Sequence, residues 1–218
     1  HILPGIDDGA KNLTESYEMI NEMKSLGFSK IIGTPHTISG LYDNTNEIIK
    51  SSFLKIKTEK INDVVIDYAS EYMIEPELIY KAENKNLLTL KKKFVLTEMS
   101  FIQAPKDLYE ILFIIQTNGY KPIIAHPERY LYFSKDFSDY EKLKNIGCKF
   151  QLNLLSSVGY YGPDVLKITN KLLKNNFIDY VGSDIHSIKH INFIKKNKLR
   201  ISEIDKLKYA INQNQYFI

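Results

Sequence analysis

The sequence predicts an α/β protein whose parallel strands close into a distorted TIM-like (βα)7 barrel. Three observations carry that prediction. Short apolar runs alternate with helical patterns seven times along the 218 residues. The strands read as nearly unbroken apolar runs, as expected for a parallel sheet covered on both faces. No G-x-G-x-x-G or P-loop follows the first strand, which weighs against the alternative of an open doubly wound sheet.

The first element is the stretch His1-Ile-Leu-Pro-Gly-Ile-Asp7-Asp8-Gly9. It reads as the end of a buried strand opening into a tight turn, with an earlier part of that strand, able to carry a further ligand, expected upstream. Residues 12–27 predict a helix. Asn12 can cap it, Glu15 completes the capping pattern, and Gly27 closes it. Residues 30–34 form a strand ending at Pro35-His36, followed by a helix over 45–60. Residues 64–69 form a strand ending at Ser70-Glu71, followed by a helix over 75–84.

The strand at 94–97 ends at Glu98, and a helix over 105–118 stops at Gly119. The strand at 121–125 ends at His126-Pro127, and a helix over 138–146 stops at Gly147. Residues 148–153 form the next strand. Pro163 suits a first helical position, and that helix runs to about Asn175. The last strand, 178–182, ends at Ser183-Asp184-Ile185-His186. Helical segments over 188–196 and 202–214 finish a chain with no linker or low-complexity seam, read as one domain over 1–218.

Composition narrows the function. The 29 basic and 26 acidic residues are too balanced to argue for a nucleic-acid surface. The Lys91-Lys92-Lys93 run reads as a solvated edge before a strand. A single cysteine, Cys148, excludes an intramolecular disulfide framework and suits a reducing, cytoplasmic setting. It sits at the start of an apolar strand and reads as a small buried hydrophobe. No apolar run is long enough to span a membrane.

Nearly every strand ends in a side chain able to ligate a metal: His1 and Asp8, His36, Glu71, Glu98, His126, then Asp184 and His186. Four of the five histidines occupy such ends. In a parallel barrel these ends converge on one face. Carboxylates and imidazoles packed together without cations would repel or desolvate badly. Divalent ions resolve this, and a mixed His/carboxylate set suits Mn, Fe or Zn. Several metals held together point to hydrolysis, with water activated and the attacked group held.

Arg129, three residues past His126, lies on the same rim and suits bidentate binding of phosphate oxygens. An ion pair with Glu128 or another loop acid is its bland alternative. Lys189 and His190 follow the Asp184-x-His186 pair and could bind phosphate or protonate a leaving group. Tyr160 and Tyr161 sit in a Gly-flanked loop at that face and could wall an aromatic substrate.

The opening stretch, Thr-Pro-His36, Glu71, Glu98, Ala-His126-Pro-Glu-Arg129 and Ser-Asp184-Ile-His186 together resemble the polymerase and histidinol phosphatase (PHP) superfamily. Within it the chain is most similar to the bacterial manganese-dependent protein-tyrosine phosphatases of capsule and exopolysaccharide gene clusters. The resemblance covers the whole chain in order. It implies a distorted seven-stranded barrel with three divalent metals, manganese first, with iron, cobalt or zinc as alternatives.

By that resemblance one metal takes His1, Glu71 and Asp184, together with a histidine two positions upstream of His1. A second takes Glu71 as a bridge with Glu98 and His126, and a third takes Asp8, His36 and His186, with Asp7 the alternative to Asp8. Arg129 matches the phosphate-binding arginine, and catalytic roles fall to Arg129, Asp184 and His186. A second family arginine is absent from 187–192, where Lys189 or His190 could substitute. The implied substrate is a phosphotyrosine-containing protein tail, that of a polysaccharide-export tyrosine kinase.

The activity so expected is phosphotyrosine hydrolysis by a metal-activated hydroxide. Cys148 is not followed by the arginine of a Cys-x5-Arg phosphatase loop, so a cysteinyl-phosphate route is unsupported. Two rivals stand beside this reading. One is a small-molecule phosphomonoesterase of the histidinol-phosphatase type. The other is a catalytically impaired barrel acting as a binding module.

Overall fold

The computed structural model describes residues 1–56, 61 and 64–217. Its order is α1 (Leu13–Ser25), β1 (Lys30–Gly33), β2 (His36–Thr37), α2 (Asn46–Leu54), β3 (Val65–Tyr68), β4 (Glu71–Met73), α3 (Pro76–Glu83) and β5 (Phe94–Glu98). Then come α4 (Leu108–Thr117), β6 (Lys121–Ala125), α5 (Ser138–Asn145), β7 (Lys149–Asn153), α6 (Leu154–Ser157), α7 (Pro163–Lys174), β8 (Tyr180–Gly182), α8 (Ile188–Lys196) and α9 (Ile204–Gln213). Among the described residues there are also 3-10 turns at Pro127–Arg129, Leu131–Ser134 and Asn214–Phe217.

The α/β alternation holds, with boundaries close to those predicted. Asn12 caps α1 as expected, accepting from the Glu15 N–H. The helix predicted over 45–60 is α2, which ends at Leu54. Residues 57–60 of that prediction lie outside the described residues.

The ladders between these strands are parallel, and the antiparallel pairings among the described residues are the isolated bridges Ile38–Tyr42 and Lys91–Phe94. One sheet runs β2-β4-β5-β6-β7-β8, and a second pairs β1 with β3. Among the described residues no ladder closes these into a ring. The two strands predicted at 30–34 and 64–69 are each followed by a further short strand, β2 and β4. Pro35 interrupts the first, since it has no N–H to give a ladder. Across the break the chains stay joined by Ala69 N–H to the Gly33 carbonyl (2.9 Å) and Glu71 N–H to the Pro35 carbonyl (3.0 Å). The Thr37 and Ser70 hydroxyls also meet at 2.7 Å.

The opening stretch is not a strand, which corrects the first expectation. Residues 1–10 form a fold-back loop, closed by Ala10 N–H to the His1 carbonyl (3.0 Å) and Gly5 N–H to the Ala10 carbonyl (2.8 Å). Ile2 and Leu3 are buried, as a strand end would be, but against α1 and β1. Gly9 makes the loop possible, because a Cβ there would lie 2.0 Å from the His1 carbonyl oxygen.

Alternation along the strands separates two apolar layers. Phe94, Leu96, Ile123, Ala125 and Tyr180 face one side with Phe217. Val95, Ile124, Phe150 and Leu152 face the other, under α3, α4 and α7. Cys148 is buried in this outer layer. Burial pushes its thiol up to about 12, so it stays protonated at neutral pH. Iodoacetamide is therefore expected to leave the native protein unmodified, with the thiol labelled only after denaturation, as intact mass would report. Among the described residues no helix is long and apolar enough to cross a membrane.

Candidate metal centre

The strand ends do converge. In the β2–β4 ladder His36 pairs with Glu71, and the β4–β5 register sets Met73 beside Glu98. His126 follows β6 directly, and Asp184 lies two residues past β8. Both adopt left-handed backbone, with φ of 35° and 48°. For a residue with a Cβ that conformation costs about 1–2 kcal/mol, and strain of this kind collects at functional sites.

The side chains meet in three overlapping groups: His1, Glu71 and Asp184; His36, Glu71 and Glu98; and His1, Asp8, His36 and His186. Within each group the potential ligand atoms all lie within 4.8 Å of one another. His1 Nε2 is 3.3 Å from Glu71 Oε2 and 3.2 Å from Asp184 Oδ1. His126 Nε2 lies 3.3 Å from Glu71 Oε1 and 3.7 Å from Glu98 Oε2, which adds it to the middle of the cluster. Asp8 Oδ1 is 3.5 Å from His36 Nε2 and 3.4 Å from His186 Nε2.

These residues fit divalent cations better than they fit each other. His36 Nδ1, Glu98 Oε1 and His126 Nδ1 are buried and make no hydrogen bond among the described residues. His36 Nδ1 and Glu98 Oε1 are 2.6 Å apart, but not in hydrogen-bonding geometry. Two imidazole nitrogens, of His36 and His186, face each other at 3.4 Å. Burial and the Glu71 carboxylate together raise Glu98. Burial would also raise Glu71, but hydrogen bonds from His1 and His126 outweigh it and hold it well below the usual range. Burial lowers His186, with the His1 charge adding to it. Such opposed shifts among packed ionisable groups are what cations between them relieve.

A second layer fixes the first. Asp7 Oδ2 lies 2.7 Å from His1 Nδ1, and Asp7 Oδ1 accepts the Gly9 N–H at 3.0 Å. The Asp7 side chain is fully buried, whereas that of Asp8 is 53% exposed and faces the cluster. Asp8 is thus the acid placed among the potential ligands, while Asp7 faces His1 Nδ1 and leaves Nε2 toward the cluster. Asp7→Ala is expected to lower metal affinity or turnover by about 10–100-fold; an unchanged metal titration would refute this positioning role.

Sequence reasoning missed Asn153 and Glu128 here. Asn153 Nδ2 donates to Asp184 Oδ2 at 2.6 Å and to the Tyr161 hydroxyl at 3.1 Å. The wholly buried Glu128 does not pair with Arg129. It accepts from the Asn153 N–H (3.0 Å) and the Ser156 hydroxyl (2.6 Å). The only sequence signals were a polar residue closing an apolar strand and an acid beside Arg129.

Arg129 itself donates from Nη1 to Asp184 Oδ2 at 3.1 Å. Its guanidinium carbon lies 4.3 Å from the Phe101 ring centre and 4.2 Å from that of Tyr161. The fork is thereby stacked between two rings beside the cluster. A pocket of about 300 Å³ opens there, lined by Asp8, Glu98, Phe101, Arg129, Tyr161 and His190 together with His36, His126, His186 and Asp184. Of the remaining sequence candidates, Tyr160 packs behind Tyr161 and His190, and Lys189 is exposed; neither lines this pocket. Cys148 lies in the outer core, away from it.

Known proteins resemble this chain. The family described as capsular polysaccharide synthesis, CpsB/CapC, matches residues 1–198. Tyrosine-protein phosphatase YwqE of Bacillus subtilis is 29% identical over 98% of this chain and 87% of its own length. Tyrosine-protein phosphatase CpsB of Streptococcus agalactiae is 28% identical over 86% of this chain and 81% of its own. A solved structure comes from work on YwqE of Bacillus subtilis and CpsB of Streptococcus pneumoniae, described there as unique metal-dependent tyrosine phosphatases. It superposes with a TM-score of 0.81 at 28% identity, over 90% of this chain and 84% of that one.

Proposed function

The chain belongs to the capsular polysaccharide synthesis family CpsB/CapC, and we propose that it is a metal-dependent protein-tyrosine phosphatase with its active centre at the strand-end cluster. The observation that carries this reading is the sharing of His1, His36 and Glu71 among three overlapping ligand groups beside a stacked arginine. We read the two sheets as staves of one distorted barrel of the PHP type. Three divalent ions, manganese first, are assigned to His1, Glu71 and Asp184; to Glu71, Glu98 and His126; and to Asp8, His36 and His186. When bound, such ions supply an activated water and neutralise phosphoryl oxygens.

The protein's own groups do the rest. Arg129 holds the phosphoryl oxygens with the donors that Asp184 leaves free. His190 Nδ1 accepts the His186 N–H at 3.2 Å, so the neutral ring carries its proton on Nε2. Burial lowers His190, which favours that neutral form. Its Nε2–H then serves as a donor to the phosphate or to the departing phenolic oxygen. His190 thus takes the part that Lys189, exposed and outside the pocket, does not. Tyr161 and Phe101 wall the pocket on the aryl side.

The substrate is assigned as the phosphotyrosine-bearing tail of a polysaccharide-export tyrosine kinase, met in the cytoplasm. Turnover of a phosphotyrosine peptide and of histidinol phosphate, each with added Mn and with chelator, tests the reading. Chelator-sensitive hydrolysis that favours the peptide is expected. A preference for the small alkyl phosphate would move the assignment to the histidinol-phosphatase type, and no turnover of either with metal bound would leave a binding module.

A further inference from the structure

Arginine is rare in this chain: of 29 basic residues only Arg129 and Arg200 are arginines. Lysine serves wherever a generic solvated charge is enough, so each arginine position invites a reason specific to a planar fork. Arg129 has one in the pocket. Arg200 lies beyond the residues that the family match covers, and no part of the proposed chemistry uses it.

The Arg200 backbone is tied to the loop before Tyr160. Its N–H donates to the Ser157 carbonyl at 2.8 Å. Its side chain crosses Gly159 so closely that a Cβ there would come within 2.9 Å of Nη1 and 3.0 Å of Cδ. Gly159 has φ +80°, a left-handed backbone that suits glycine. Among the described residues no carboxylate pairs with Arg200, whereas nearby Lys195 is neutralised by Glu22 and Lys206 by Glu203. Arg200 is exposed, and its guanidinium, laid across Gly159 with no carboxylate partner among the described residues, is open to an anion.

The loop that holds Arg200 is also a wall of the pocket. Tyr160 follows Gly159, and its ring packs edge-on against Tyr161 and His190, both at 5.0 Å, and against Phe193 at 4.9 Å. Tyr161 and His190 line the pocket. Gly159 and Tyr161 are two residues apart, at most about 7 Å along the backbone. An extended peptide advances about 3.3 Å per residue. A side chain one or two residues from a tyrosine seated in the pocket therefore falls within reach of this rim.

We propose that Arg200 forms a second anion subsite, which takes the acidic group of a residue flanking the phosphotyrosine: a side-chain carboxylate or a second phosphate. This rests on the reading of the pocket as a phosphotyrosine site and adds a preference to it. The site selects acidic or multiply phosphorylated segments, through a residue that touches neither the metals nor the scissile phosphate.

Binding to the holoenzyme tests this without turnover, using fluorescent peptides that carry a difluoromethylphosphonate mimic of phosphotyrosine. One peptide has Gln at the flanking positions, one has Glu, and one has a second mimic. The Glu and double-mimic peptides are expected to bind about five-fold tighter than the Gln peptide at low salt, the upper range for an exposed ion pair. That advantage should shrink as salt rises. Arg200→Ala should erase it and leave Gln-peptide affinity as it was, while Arg200→Lys should keep part of it. If only the double-mimic peptide gains, the ligand is a second phosphate; if both gain alike, any carboxylate serves.

Equal binding of all three peptides to wild type, or an unchanged advantage in Arg200→Ala, would overturn the subsite. Equal weakening of all peptides in Arg200→Ala would make Arg200 merely structural. Hydrolysis of free phosphotyrosine, which has no flanking residue, reports separately on the proposed activity.

Discussion

Glu71→Gln is expected to cost at least about 100-fold in phosphatase activity, beyond the range typical of residues that only support a ligand. Glu71 stands at the centre of the cluster. Its Oε1 faces His126 at 3.3 Å, and its Oε2 faces His1 at 3.3 Å and His36 at 3.5 Å. Its side chain is almost wholly buried. The amide matches the carboxylate in volume and removes the charge that two cations would share. It also turns an N–H donor toward imidazole nitrogens needed as ligands. Elemental analysis should find metal content reduced at more than one site, with an unchanged circular dichroism spectrum. Normal metal content with near-normal turnover would remove Glu71 from the centre of the mechanism.

The parts of this picture legible in the sequence were those fixed by local chemistry. β5 and β6 lie where their apolar runs place them, and the turns at Gly119 and Gly147 close α4 and α5 as their left-handed glycines require. The potential ligands were legible because His and acidic residues are expensive beside apolar strands unless something compensates them. The opening stretch misled because Ile2 and Leu3 are as apolar and as buried as a strand end. The close approach of Gly9 to His1 and the hydrogen bonds to Ala10 make them a loop, and those contacts have no periodicity to reveal them. The same fold-back turns Asp7 to His1 and Asp8 to the cluster, adjacent acids that the sequence could not separate. Asn153 escaped notice because its role depends on Asp184, 31 residues away. Arg129 was placed on the right rim, but its partner is Asp184, since Glu128 is turned inward to Asn153 and Ser156.

That partner sharpens what removal of Arg129 should do. Arg129→Ala is expected to lower kcat/KM by roughly 10²–10³-fold, the scale for losing one preorganised donor to developing charge. Metal content should stay near that of wild type. Asp184 Oδ2 would lose the Nη1 contact at 3.1 Å but keep the shorter Asn153 bond at 2.6 Å, so the carboxylate remains held. Asp184 also keeps His1 and stays a low-pKa acid, at about 2, held down against burial chiefly by the His1 hydrogen bond. Arg129→Lys tests geometry against charge. A lysine restores the positive charge but not the flat fork that Phe101 and Tyr161 stack upon, so it should recover only a small part of the loss. Full rescue by lysine would mean that charge alone matters and the aromatic stack is incidental. Loss of metal in Arg129→Ala would mean that the arginine holds Asp184 in place, and phosphate binding would then have to be assigned elsewhere in the pocket.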